Sequence, residues 1–196
     1  MKIGLDIDGI KADMMPKLNA FYNRRNGTSY RIPDYKSHDL EKTWGIPKKE
    51  VIEVIDLFYQ SRDFLAIRPV IFSENGTLTL SKKHQLFSVT SRPRSVKLRT
   101  EIFINRYFPN RIKDIFFTGQ YTSTAEEINK FGVCHAERAD LLIEDCLETA
   151  ISCAERGLPV FLLDAPWNQL NGQHPSSLPE NLTRVKNWPE IIRLLK

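Results

Sequence analysis

The chain of 196 residues has no stretch of about 18 consecutive apolar residues, so it offers no membrane-spanning helix. Cysteine is scarce: Cys134, Cys146 and Cys153 are odd in number and never form C-x-x-C. They read as reduced thiols, not as a disulfide framework or a zinc ribbon. Neither G-x-x-x-x-G-K-[ST] nor G-x-G-x-x-G occurs, so ATP or dinucleotide binding through those loops is unsupported. The four histidines, His38, His84, His135 and His174, lack metal-ligand spacing. Charge of one sign is also in short supply. The net charge is only +4 and the basic residues are scattered, so no nucleic acid polymer is expected as a partner, whereas small anions suit a mild positive excess. A secretory signal is not expected either, because Asp6 and Asp8 interrupt the first apolar run. The expected location is the cytoplasm.

What is present suffices for a sizeable core: 41% of residues are hydrophobic and 27% charged, the balance of a globular domain. KIGLD (2–6) reads as a strand. MMPKLNAFYNRR (14–25) reads as a helix stopped by Asn26-Gly27. KKEVIEVIDLFYQSRDFL (48–65) carries Val51, Ile52, Ile55 and Phe58 at helical spacing. From residue 70 onward the pattern alternates. Helices are expected at 73–83, at 95–108 with Ser95 as N-cap, and at 123–132 with a Ser123/Glu126 capping box and Gly132 at the end. A further helix is expected at 146–157, and another closes the chain. Strands are expected at 84–91, 112–119, 139–145 and 158–164, with a short one before the last helix. Such alternation implies an α/β protein, a doubly wound parallel sheet with helices on both faces. The segment 12–68 breaks the alternation and reads as a small helical cap inserted after the first strand. The core domain would then comprise 1–11 and 69–196.

In an open parallel sheet, ligands bind beyond the carboxyl ends of the strands. The first strand delivers Asp6 and Asp8 there, the second Thr90 and Ser91, a later one Glu144 and Asp145. Carboxylates converging at one edge repel one another. A divalent cation resolves the repulsion, and an all-oxygen site favours magnesium.

These residues carry a resemblance. LDIDGI resembles the first motif, D-x-D-G, of the haloacid dehalogenase-like hydrolases. FSVTSRP is similar to their second motif and LLIEDC to their fourth. TSRP, Thr100, RYFP, the IED strand end, LLDAPWNQ and RVKNW resemble the 5'(3')-deoxyribonucleotidase branch and its bacterial relatives. The resemblance spans nearly the whole chain and is weakest over 12–68. It implies a magnesium-dependent phosphomonoester hydrolase acting through an aspartyl-phosphate, with a small phosphorylated substrate such as a nucleoside monophosphate. Asp6 would be nucleophile and metal ligand. Asp8 would be acid–base and, through its carbonyl, a ligand. Thr90, Ser91 and Arg92 would bind the phosphate. Asp145 would complete the metal site, with Glu144 as a further ligand or as a base. Homodimerisation stays open.

One departure stands out. The family places a lysine before the fourth motif. Counting back from Gly132 as a helix end puts Thr124 there, and Lys130 would then be a solvated lysine near a helix C-terminus. On that count either Arg92 supplies the cation or the protein is a weakened relative that binds a phosphorylated ligand or a protein partner. In the insertion, Trp44, Phe58, Tyr59 and Phe64 are candidates for stacking on a base, or cap core. Trp167 and Trp188 read as packing anchors.

Overall fold

The computed structural model describes residues 1–119, 129–169 and 178–196. Strand β1 (Lys2–Leu5) is followed by α1 (Met14–Asn26), α2 (Leu40–Trp44), α3 (Lys48–Gln60), α4 (Arg62–Leu65) and α5 (Ser73–Ser81). Then come β2 (Gln85–Thr90), α6 (Lys97–Tyr107), β3 (Ile115–Phe117), α7 (Lys130–Ala136), β4 (Leu141–Glu144) and α8 (Leu147–Glu155). Strands β5 (Val160–Leu163) and β6 (Leu182–Val185) and helix α9 (Trp188–Leu194) complete the order.

The six strands form one sheet in the order β3-β2-β1-β4-β5-β6, and every neighbouring pair is parallel. Side chains alternate across a strand, and this divides the sheet's two cores. Ile3, Leu5, Leu86, Leu141 and Ile143 meet Leu80 of α5 and Trp188 and Ile191 of α9. Phe87, Val89, Leu142 and Leu162 meet Val133 of α7 and Leu147 and Cys153 of α8. Both faces are covered, as the near-continuous apolar runs of the central strands require. The weak helix former SENGTLTLS holds as α5 by packing: a Cβ on Gly76 would lie 2.1 Å from the Trp188 ring.

Helices α1 to α4 lie outside the sheet order, and their apolar faces share a third cluster, in which Leu18, Tyr22, Trp44, Ile55, Phe58 and Phe64 join Val96 and Ile104 around α6. The chain leaves for these helices and returns from them at one place. Asp13 N donates to Arg68 O (2.8 Å) and Val70 N to Lys11 O (2.9 Å).

Three local expectations are corrected. The expected helix 48–65 is two helices. Ser61 is extended (ψ 166°), and its hydroxyl accepts from Phe64 N and donates to Phe58 O. It thus ends α3 and caps α4, while the apolar periodicity runs on across the break. Ser95 is no N-cap: it sits in a 3-10 turn at Arg94–Val96, and α6 begins at Lys97. Gly132 does not end a helix. It lies in the first turn of α7, where its N–H bonds the side chain of the N-cap Asn129. The Ser123/Glu126 pair and Thr124 lie outside the described residues. Among the described residues, no helix is long and apolar enough to cross a membrane.

Candidate active site

Strand β1 ends at Leu5, and its next residues turn at the carboxyl edge of the sheet. Asp6 N still bonds Ile143 O of β4 (3.0 Å). Asp6 and Asp8 turn to the cavity, while Ile7 between them is buried against the inserted helices. Gly9 has φ +74°, and a Cβ there would lie 1.9 Å from Asp145 Oδ2. Any side chain at Gly9 would occupy the place of an acidic group, so the glycine is needed for space as well as for its backbone angle.

Lys130 is where the structure departs most from the expectation. As the first residue of α7 it is buried, 6% exposed. Its Nζ lies 3.0 Å from Asp6 Oδ2 and 2.8 Å from Glu144 Oε2. It is therefore the cation beside the nucleophile candidate, and its reading as a solvated lysine at a helix C-terminus is wrong. The error came from treating Gly132 as a helix end. With Asn129 as N-cap, the lysine stands at the helix start, next to the strand exits. The reasons for giving Arg92 the lysine's place, and for expecting a weakened site, fall with it.

The other Asp6 oxygen, Oδ1, is buried and has no hydrogen-bond partner. Asp6, Glu144 and Asp145 each bring a carboxylate oxygen within 4.8 Å of the other two. Burial drives the Asp6 carboxyl up to about 7; Lys130 works against the rise, and Glu144 and Asp8 add to it. Asp145 is raised well above the usual carboxylate range by burial and by Glu144 and Asp6. Among the described residues no lysine or arginine pairs with Asp145. A buried unpartnered oxygen amid raised carboxyls fits a hard divalent cation, which takes oxygen ligands and favours the ionised forms.

Glu144 is fully buried and its oxygens are engaged. Oε2 takes the Lys130 ammonium, and Oε1 accepts from the backbone N–H of Asp145 and Cys146. It fixes Lys130 and the start of the β4–α8 turn. Asp145 is fixed by three groups that were given no site role, Trp167 among them as a packing anchor. Trp167 Nε1 donates to its Oδ2 (2.9 Å), and Asn168 Nδ2 to its carbonyl (2.8 Å). His38, from the insertion, approaches the same carbonyl with Nε2 at 3.3 Å. The L-D-A-P-W-N run just past β5 was the available signal for Trp167 and Asn168. His38 had none, because its contact spans 107 positions.

Thr90 ends β2, and its hydroxyl accepts from Arg92 N (3.2 Å). Ser91 lines the same cavity. Arg92 is buried and forks onto Asp8: Nε to Oδ2 at 2.8 Å and Nη2 to Oδ1 at 2.6 Å. All seven residues expected at the site therefore meet at one cavity. Lys11 was not expected. It is fully buried, and its Nζ donates to Leu5 O (3.1 Å) and Ser88 Oγ (2.6 Å). Burial lowers its affinity for protons to about 7, against the pull of Asp6.

The insertion supplies the opposite wall: Met14, Met15, Leu18, Leu40, Ile55 and Tyr59. Of the four aromatics considered for stacking, only Tyr59 lines the cavity. Trp44 stacks on Tyr22 at 3.9 Å. Phe58 is core, and Phe64 packs on Phe58 and Tyr59.

No family model matches the chain. A Bacillus subtilis (strain 168) protein named "Putative nucleotidase YqfW" is 23% identical over 200 residues, covering 98% of this chain and 92% of that protein. Among solved structures, a haloacid dehalogenase-like family hydrolase from Streptococcus pneumoniae superposes with a TM-score of 0.70 at 16% identity, covering 100% of this chain and 98% of its own. The "putative HAD-hydrolase YfnB" from Bacillus subtilis, solved bound to magnesium, gives 0.63 at 14% identity over 100% and 98%. The fold is that of the haloacid dehalogenase-like hydrolases.

Proposed function

We propose that the protein is a magnesium-dependent phosphomonoester hydrolase that works through an aspartyl-phosphate on Asp6. One observation carries the reading: Asp6 lines the cavity with one oxygen anchored on Lys130 and the other buried and unpartnered, and Asp8 stands two residues on. A carboxylate so held has a lone pair to offer and little freedom to lose. Asp6 attacks phosphorus, the ester P–O bond breaks, and the leaving oxygen takes a proton from Asp8. Asp8 then takes a proton from water, which attacks the phosphoryl group and returns Asp6 as a carboxylate. Lys130 offsets charge on the nucleophile and on the transferring oxygens. Thr90 and Ser91 at the end of β2 offer hydroxyl donors to the phosphate. Asp6, the carbonyl of Asp8 and Asp145 would hold the magnesium ion, which supplies charge neutralisation for phosphoryl transfer. Glu144 acts through Lys130.

The substrate is proposed to be a nucleoside monophosphate. The wall from the insertion is mostly apolar, with the ring of Tyr59 among its methionine, leucine and isoleucine side chains and with Ser37 and His38 as its polar members. That suits the uncharged body of a nucleoside, and the name of the Bacillus relative, a nucleotidase, points the same way. On this reading the insertion, 12–68, is a cap that chooses the substrate. The test is a phosphate-release screen with magnesium over nucleoside monophosphates and sugar phosphates. Turnover of nucleotides above sugar phosphates is expected. Preference for sugar phosphates would overturn the substrate, and no turnover of any monoester would overturn the activity.

A further inference from the structure

We propose that Arg92 is a positioning residue for Asp8: it aims the acid–base instead of binding the substrate's phosphate. The inference rests on the reading of Asp8 given above. Arg92 is only 2% exposed, and its guanidinium is held from three sides. Nε and Nη2 clamp both oxygens of Asp8. Nη1 donates to Thr100 Oγ1 (3.1 Å), and that buried hydroxyl donates to Val96 O in turn (3.0 Å), which fixes its lone pair toward the arginine. The guanidinium also lies over the Phe64 ring of the inserted helix α4, 4.9 Å from the centroid. An arginine meant to grip phosphate would leave a donor pair facing the cavity. Here the fork is turned to a carboxylate, and every nitrogen has a protein acceptor.

The geometry has a chemical consequence. A general acid works only if one oxygen points at the leaving oxygen within hydrogen-bond reach. A two-point fork fixes the plane of a carboxylate, and a lysine, with a single point of charge, cannot. The contacts to Thr100 and Phe64 pin the fork to α6 and α4, so the orientation of Asp8 is set by α6 and by the insertion together. Losing the aim should harm substrates in proportion to their need for a proton at the leaving oxygen. Alkyl phosphates need it, whereas p-nitrophenyl phosphate, whose leaving group is stable as an anion, does not.

The test compares kcat/KM, which reports formation of the phosphoenzyme, for p-nitrophenyl phosphate and for the best nucleoside 5'-monophosphate of the screen. Arg92→Lys and Arg92→Gln should lose about 100-fold on the nucleotide, the scale of general acid catalysis, and less than about fivefold on the aryl ester. Asp8→Asn should show the same skew, and Arg92→Gln added to Asp8→Asn should cost nothing more on the nucleotide, since residues acting as one unit are not additive. Thr100→Val, which removes only the third anchor, should give a smaller skew of the same sign, and it decides the matter if the Arg92 variants do not fold. Equal losses on both esters, or a raised KM with unchanged kcat, would overturn the positioning role while leaving the hydrolase reading intact. A wild-type protein inert toward every monoester would overturn both.

Discussion

The carboxyl edge of the sheet and the wall that faces it are built on opposite principles. At the edge, charged groups are buried and locked in pairs: Lys130 between Asp6 and Glu144, Arg92 on Asp8. The facing wall, from α1, α2 and α3, is methionine, leucine, isoleucine and tyrosine, and it meets the edge across the cavity. Buried charges are costly unless fully partnered, so the edge tolerates little change. Apolar surface is adaptable, and methionine most of all. On the proposed function the edge would fix the reaction and the wall the substrate, so changes on the two sides should differ in kind as well as in size.

The largest effect belongs to the edge. Asp6→Asn should abolish magnesium-dependent phosphatase activity in a folded protein, because an amide keeps the shape and cannot act as the nucleophile. Turnover near wild type, with unchanged circular dichroism, would remove Asp6 from the chemistry. Lys130→Met comes next. It strands Asp6 and Glu144 as buried carboxylates without their cation, a change of about 3–5 kcal/mol in stability. It should also lower kcat by about 100-fold or more through the lost charge at the transferring group. Denaturant melts and steady-state rates measure the two losses separately, and a near-neutral result in both would break the contrast at its strongest point.

A smaller effect concerns protons. Burial raises Asp6 to about 7, above its unfolded value of 3.8, so a cation must displace a proton to bind there at lower pH. The carboxylate becomes available as pH rises through about 7, and the thermal shift produced by magnesium should grow between about pH 6 and pH 8. An equal shift at both would place the metal away from Asp6. The mildest effect belongs to the wall. Met15→Ala removes apolar contact at a half-buried position. It should raise KM about fivefold, roughly 1 kcal/mol, with kcat almost unchanged, as expected when binding is lost equally from ground and transition states. A fall in kcat instead would mean that the wall takes part in the reaction.

The same divide governs what could be read from the sequence. The strand exits were legible because each followed an apolar run of fixed period, so Asp6, Asp8, Thr90 and Asp145 could be placed on one edge from order alone. Lys130 was lost because Gly132 looked like a stop, although Asn129 three residues before it is an equally good start, and only packing chooses between them. Ser61 was lost because Phe58 and Phe64 bury on both sides of it, and burial is what periodicity reports. Lys11 carries no signal: a lysine three residues past D-x-D reads as solvated, and its acceptors, Leu5 O and Ser88 Oγ, come from the sheet. The contacts of His38 with Asp145, and of Arg92 with Asp8, join residues 107 and 84 positions apart. No local pattern encodes such pairs.

The most direct measurement is to find the phosphoryl group. Protein mixed with magnesium and a nucleoside monophosphate, quenched in acid during turnover and digested, should yield a peptide heavier by one phosphoryl group. Fragmentation should place that group on Asp6, and the adduct should vanish in Asp6→Asn. Steady turnover with an unmodified Asp6, or with the phosphoryl group on another residue, would contradict the account at its centre.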